Sequence, residues 1–164
     1  MQDMLKDANT TWHTIQNTLS KLITTNMIVT DGPGNMATAM EGAGGIGIVN
    51  ELLIQSQDPR GIVLFPQIPQ GEPASFKQLR ARGGFLVSAS LSETGQVHDL
   101  VLTNDRKDRS ASNVTMLSPW WPSEAHVQVV ELNRGPQDVS MQDGWFTFYS
   151  SPGETFNISA TAIV

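Results

Sequence analysis

The chain has 164 residues, 39% of them hydrophobic, which is enough to bury the core of one globular domain. Its 16 acidic and 10 basic residues give a formal net charge of -6, which argues against nucleic acid as a partner because backbone binders need a basic face. The absence of cysteine excludes disulfides and thiolate metal sites.

The distribution of apolar residues and of histidines argues against a signal peptide, a membrane span and a metal site. The first residues, MQDMLKDANTTWHT, lack the charged region and apolar block of a signal peptide, so none is expected and the compartment is left open. No apolar run approaches the roughly 20 residues of a membrane span, so we expect no membrane partner. His13, His98 and His126 are scattered without metal-site spacing, so we expect no metal and no cofactor.

The first predicted element is a helix over residues 3–25. Its apolar residues recur in steps of three and four, which places them on one stripe of a helix. These residues are Leu5, Ala8, Trp12, Ile15, Leu19 and Leu22. A dense turn signal follows at residues 31–34, Asp-Gly-Pro-Gly.

Residues 36–56 form the second predicted helix. Its first half contains four glycines, each of which costs up to about 1 kcal/mol against alanine in a helix interior, and its second half has an apolar face. The glycines are Gly42, Gly44, Gly45 and Gly47, and the apolar residues are Ile48, Val49, Leu52 and Leu53. We therefore predict an antiparallel helical hairpin over residues 1–57.

The glycine-rich segment 42–47 matches the dinucleotide-binding pattern G-x-G-x-x-G. That pattern needs a strand before it and an acidic residue about 20 positions later. Here a helical stretch and a Pro-Gly turn precede the segment, and the later positions hold Gln67, Ile68 and Pro69. We therefore expect no nucleotide site.

Residues 58–164 are predicted to be an antiparallel β-sandwich, which makes the chain an α+β protein with the hairpin packed on the sandwich. Turn signals recur every 8 to 12 or so residues, as is typical of all-β sandwiches. A proline-framed loop is predicted between the first two strands, over residues 66–79. The predicted strands are 62–65, 85–91, 97–103, 114–117, 126–132, 145–149 and 155–164.

Two sequence features have both a functional and a structural interpretation. Arg80 and Arg82, followed by Gly83 and Gly84, could clamp an anion, but the preferred interpretation is a structural junction between the helices and the sheet. Trp120 and Trp121, framed by two prolines, could stack on a sugar ring, although an edge plug over the sandwich core is the preferred interpretation.

An ordered series of motifs resembles the C-terminal end of family 95 glycoside hydrolases, the α-L-fucosidase type. The series covers most of residues 31–164, and LRARGGF at its spacing from the Gln-Ser helix end is the most specific motif. Its members are Glu41–Gly44, Asn50–Ser56, Ile62–Pro66, Leu79–Phe85, Val114–Thr115, Ser118–Trp120 and Pro152–Thr155.

The resemblance implies a catalytic α/α barrel followed by a β-domain. The barrel of the family inverts an α-glycosidic bond with a glutamic acid as general acid and an aspartate, assisted by asparagines, that activates water. Glu41 matches the aspartate position, with a one-residue gap and with Glu in place of Asp. The general acid and the asparagines of the family lie upstream of the matched region.

The expected function follows from this partial coverage. Inversion needs two carboxyl groups about 6.5 to 9.5 Å apart across the scissile bond, and two helices cannot enclose such a cleft. We therefore expect a non-catalytic, homo-oligomeric module that associates through the helical hairpin and binds carbohydrate or protein. The alternative is a fragment of an active inverting glycosidase that needs an absent barrel. Whether the chain is a natural small protein or an excised piece is left open.

Overall fold

The computed structural model describes residues 8–22, 47–108, 110–120 and 125–162. The chain divides into two compact units. One unit comprises Met1–Leu53 and Phe65–Pro69, and the other comprises Ile54–Leu64 and Gln70–Val164. We call them the helical unit and the β unit.

The helical unit contains helix α1 (Ala8–Leu22) and helical residues 47–53, which we call α2. The amide of Phe65 donates a hydrogen bond of 2.8 Å to the carbonyl of Leu53, which ties the 65–69 segment to the end of α2. The helix predicted over residues 3–25 is confirmed for the part that the structure describes, Ala8–Leu22. Antiparallel pairing of the two helices stays a prediction, because residues 23–46 lie outside the described part of the chain.

The second helix ends earlier than predicted. Residues 54 and 55, placed by the sequence in that helix, form a strand that pairs with residues 63 and 64. Ile54 lies opposite Leu64 and is buried, so burial in the sheet replaces burial on a helix face. The prediction of helix to residue 56 was wrong by three residues.

Most of the β unit is antiparallel sheet. The strands are β1 (Ile54–Gln55), β2 (Val63–Leu64), β3 (Ala74–Ala81), β4 (Phe85–Leu91), β5 (Val97–Asn104), β6 (Ser112–Leu117), β7 (Ala125–Glu131), β8 (Gly135–Pro136), β9 (Ser140–Gln142), β10 (Trp145–Ser150) and β11 (Thr155–Ala162). Six form a sheet in the order β3-β4-β5-β11-β7-β8, three form a sheet in the order β6-β10-β9, and β1 pairs with β2.

Tight turns connect the neighbouring strands. Asp143 and Gly144 join β9 to β10 with φ of 51° and 82°, the two positive values that a type I′ hairpin needs. The β4–β5 turn closes with a hydrogen bond of 2.9 Å from the Gly95 amide to the Ser92 carbonyl. The β4–β5 turn lies between the predicted strands 85–91 and 97–103.

The core of the β unit lies between the two larger sheets. Side chains on β4 and β10 alternate between buried and more accessible, mostly half-buried, positions, as expected for sheets with one covered face. The rings of Phe148 on β10 and Phe156 on β11 meet edge to face, with centroids 4.9 Å apart. The most deeply buried apolar side chains are Val87, Leu100, Leu102, Val114, Met116, Val129, Phe146, Phe148 and Phe156. This contact between sheets is compatible with the predicted sandwich.

Besides β1, three further strands escape the sequence-based prediction. Residues 66–79 were predicted as a loop, yet β3 begins at Ala74, directly after Pro73. The short strands β8 and β9 were also missed. Each of the three pairs with the next or the preceding strand in sequence across a short turn.

None of the helical segments described is both long and apolar enough to cross a membrane.

Candidate functional site

An open cleft of about 470 Å³ lies in the β unit, and we call it the junction cleft. Three segments form its walls: the turn 58–61, the β3–β4 turn and strand β6. The side chains that matter for its chemistry are Arg60, Arg82, Arg106, Ser112, Asn113 and Thr115. Each wall has a local reason for its shape.

The turn 58–61 is held by Asp58. Its carboxylate accepts a hydrogen bond of 2.8 Å from the Arg60 amide and a second of 2.8 Å from the Arg60 guanidinium. This is the Asx-turn geometry that favours aspartate before a Pro-X-Gly segment. The Arg60 guanidinium also lies over the Trp145 ring, 4.9 Å from its centroid, in a cation–π contact.

Gly61 lets this turn lie directly against strand β6. The Ile62 amide donates to the Thr115 carbonyl at 2.9 Å, and the Leu117 amide donates to the Ile62 carbonyl at 2.9 Å. A Cβ atom on Gly61 would lie 2.2 Å from the Thr115 carbonyl oxygen. Only glycine therefore fits at the point where the cleft wall and β6 touch.

The LRARGGF motif forms the second wall. Ala81 and Phe85 pair across β3 and β4, which leaves residues 82–84 as the turn. Gly83 and Gly84 adopt φ of 89° and 83°, a region that L-residues with side chains rarely occupy. The Arg82 amide donates a hydrogen bond of 2.9 Å to Ser56 Oγ. This bond joins the Gln-Ser segment to the LRARGGF segment, two motifs of the family resemblance.

Arg106 completes the rim beside the β3–β4 turn. Its amide donates to Asn104 Oδ1 at 3.2 Å, and its guanidinium binds both carboxylate oxygens of Asp108, the shorter contact being 2.9 Å. A Cβ atom on Gly84 would lie 3.0 Å from Arg106 Cγ, so the glycine makes room for this side chain.

The charges in the cleft do not balance. Asp58 neutralises Arg60, and Asp108 neutralises Arg106. Arg82 is exposed and has no ion pair within the described residues. One guanidinium in the cleft is therefore uncompensated, in a chain whose formal net charge is -6.

The arginines lower the pKa of the neighbouring carboxyl groups. Hydrogen bonds from the Arg60 side chain and amide lower the pKa of Asp58 from 3.8 to about 2. Hydrogen bonds from Arg106 hold the pKa of Asp108 well below its usual range. Outside the cleft, Lys107 and then Arg80 lower the pKa of Asp105. All three carboxyl groups are ionised at neutral pH and stabilise their turns.

The Asp58 shift predicts a change at low pH. Because the folded-state pKa is depressed, the ionised group stabilises the turn above about pH 4, and this contribution is lost as the pH falls through about 2. We expect the carboxyl carbon of Asp58 to titrate near pH 2 by NMR, and nearer its usual 3.8 in Arg60→Gln. Lys77→Gln, an equal charge change on β3, should leave the midpoint in place; an unchanged midpoint in Arg60→Gln would contradict this cause.

The predicted site residues lie in different places. Arg82 and Gly83 line the junction cleft, and Gly84 lies in the same turn. Arg80 instead binds Asp105, with 2.7 Å between Nη2 and Oδ2. The two arginines therefore do not form the clamp that their spacing suggests, because β3 ends at Ala81 and the chain turns before Arg82.

The aromatic and acidic candidates remain only partly described. Trp120 is half-buried, and its indole N–H donates to the Val97 carbonyl at 3.2 Å. This contact favours its interpretation as a plug over the edge of the core. Trp121 and Glu41 lie outside the described residues, so their proposed roles stay predictions.

Sequence reasoning missed Arg60, Arg106 and Ser112 as parts of one site. The local signal was present, since Asp58-Pro59-Arg60 and Arg106-Lys107-Asp108 both place an arginine and an aspartate two residues apart in polar turns. Their meeting with Arg82 depends on the sheet topology.

The sequence matches no protein-family model and no curated protein sequence. Within the described ranges, no three histidine, aspartate or glutamate side chains are grouped as metal ligands would be. The junction cleft is therefore the site on which a function can be argued.

Proposed function

We propose that this chain is a non-catalytic saccharide-binding module related to the C-terminal region of family 95 glycoside hydrolases, and that the junction cleft holds the sugar. The observation that carries this proposal is the cleft itself. Its volume of about 470 Å³ lies within the usual range for small-molecule sites. Part of its lining comes from segments on which the family resemblance rests, namely Ser56, Ile62, Arg82, Gly83, Phe85, Val114 and Thr115.

The link between two of these segments supports the relationship. Ser56 ends the Gln-Ser motif, Arg82 lies within LRARGGF, and the hydrogen bond of 2.9 Å between them fixes one side of the cleft. The two bonded residues are 26 positions apart in sequence, so their contact depends on how the β unit folds.

The cleft chemistry suits a polyhydroxylated ligand. Asn113 offers an amide donor and acceptor, Thr115 and Ser112 offer hydroxyls, and the arginines offer planar donors. Phe85 contributes an apolar surface at the cleft wall. Sugar hydroxyl groups both donate and accept hydrogen bonds, so they can use all of these groups.

Association of two copies is the second part of the proposal. In this proposal the two larger sheets of each chain form a sandwich. The helical segments of two chains pair with each other. Ile48 and Val49 on α2 are 51% and 38% exposed, and such apolar side chains gain by burial. Light scattering should give the mass of a dimer; a monomer at millimolar concentration would contradict this part alone.

Calorimetric titration with glucose, galactose and L-fucose, alone and as short oligosaccharides, tests the saccharide site. We expect binding that weakens about threefold to tenfold in Asn113→Ala, because a hydrogen bond contributes about 1 kcal/mol. Asn157→Ala, the same change at an exposed position of β11, is the matched control and should bind normally.

Two results would overturn the proposal. One is the absence of heat of binding for every saccharide tested. The other is hydrolysis of an aryl α-L-fucoside by the chain that disappears in Glu41→Gln, since that result would make Glu41 a catalytic group of an active glycosidase fragment.

A further inference from the structure

Basic residues concentrate around the junction cleft. The chain has 10 lysine and arginine residues, and five of them either line the cleft or bind Asp105. Asp105 lies at the rim of the cleft, where its amide donates a hydrogen bond to the Gly84 carbonyl. These five are Arg60, Arg80, Arg82, Arg106 and Lys107. Three aspartates accompany them, so this part of an acidic protein is locally positive.

Of these five cations, Arg82 alone has no carboxylate partner within the described residues. Arg60 and Arg106 each use two guanidinium nitrogens on an aspartate, and Arg80 and Lys107 share Asp105. Arg82 donates its backbone amide to Ser56 and makes no side-chain ion pair among the described residues. Arg82 lines the cleft and is exposed, so its guanidinium donors are free of protein carboxylates within the described residues.

A second unsatisfied group lies in the same cleft. Ser112 Oγ is buried and has no hydrogen-bond partner within the described ranges. A buried hydroxyl without a partner is costly, and this one is closed to solvent. Rotation of the Ser112 side chain toward the cleft would let a ligand oxygen supply the missing hydrogen bond.

From these two groups we infer that the junction cleft prefers a saccharide that carries an oxyanion, and that the Arg82 guanidinium binds this group. The inference rests on the proposed saccharide function. A guanidinium matches the two oxygens of a carboxylate or the oxygens of a sulfate ester with parallel hydrogen bonds. Uronic acids and sulfated sugars present these groups on a ring that fits the cleft. The ring hydroxyls then face Ser112 and Asn113.

The test compares matched ligands on the whole chain. Glucose, glucuronate and glucose 6-sulfate are titrated by calorimetry into the unaltered protein, Arg82→Gln, Arg82→Lys and Lys77→Gln. Lys77 is exposed on β3 and does not line the cleft, so its variant repeats the charge change of Arg82→Gln elsewhere. Thermal unfolding of each variant confirms that it folds.

We expect glucuronate, glucose 6-sulfate or both to bind about tenfold or more tightly than glucose. This preference should vanish in Arg82→Gln, fall in Arg82→Lys because the planar fork is lost, and persist in Lys77→Gln. Equal binding of all three sugars, unaffected by Arg82→Gln, would overturn the inference and leave the proposed function standing. No binding of any sugar would overturn both.

Discussion

Gly61→Ala is expected to lower the free energy of unfolding by about 3 to 5 kcal/mol. The added Cβ would lie 2.2 Å from the Thr115 carbonyl oxygen and 2.7 Å from its carbon, and both are backbone atoms that cannot rotate away. Gly61 also has φ of 156°, where a side chain adds strain. The turn must therefore move off β6, which breaks the two hydrogen bonds made by Ile62. Chemical denaturation measures the loss.

The matched control for this prediction is Gly95→Ala. Gly95 has φ of 79°, but nothing lies within 4 Å of an added Cβ, so only the backbone cost of about 1 kcal/mol should be seen. The difference between the two variants isolates the steric clash. Equal losses for Gly61→Ala and Gly95→Ala would mean that the 58–61 turn does not touch β6 closely.

Asn104→Ala is expected to cost about 3 kcal/mol, since it leaves the buried groups of Ser150 on β10 and the Arg106 amide without partners. Asn104 is 1% exposed and ends β5. Its amide nitrogen donates to the Ser150 carbonyl at 3.3 Å and to Ser150 Oγ at 3.0 Å, across to β10. Its side-chain oxygen accepts from the Arg106 amide at the rim of the cleft.

Asn157→Ala provides the comparison for Asn104→Ala. Asn157 lies on β11 with its side chain exposed, so its loss should change the free energy of unfolding by about 0.5 kcal/mol or less. Denaturant unfolding of both variants gives the two values directly. A loss at Asn104 as small as that at Asn157 would contradict a role for Asn104 in joining the sheets.

The longer strands could be predicted because their patterns are local. Strand β4 alternates buried and half-buried residues, β5 does so from Leu100 to Asn104, and a glycine-containing turn separates the two strands. The Asp143-Gly144 hairpin carries its own turn signal. In these segments the side-chain period and the turn residues agree, so a single sequence is enough to place them.

Strand β3 could not be predicted because its alternation is interrupted. The register with β4 shifts between Phe76 and Leu79, and Gln78 has φ of 55°. Such a bulge breaks the period of two on which a strand prediction depends. Its nonlocal bond, from the Gln78 amide to Ser88 Oγ at 2.9 Å, is visible only in the folded chain.

Strand β1 illustrates a different limit. An apolar segment that continues a helix pattern cannot be told from a short buried strand by periodicity alone. Ile54 joins a sheet because Leu64 is available opposite it, and that partner lies beyond a turn. The end of a helix is therefore decided by tertiary contact.

The candidate site was only partly predictable for a related reason. LRARGGF marks a turn, and the structure places its Arg82 and Gly83 in the junction cleft. Arg60 and Arg106 lie far from Arg82 in sequence, and only the sheet order brings all three to one cleft. Spacing alone paired Arg82 with Arg80, which binds Asp105 instead.

The most direct measurement of the central claim is a map of amide chemical shifts during titration with glucuronate. If the junction cleft holds the saccharide, the largest changes should fall on Gly61, Arg82, Gly83 and residues 113–115. Changes confined to Trp120 and its partner Val97, or no saturable change at any amide, would contradict the account.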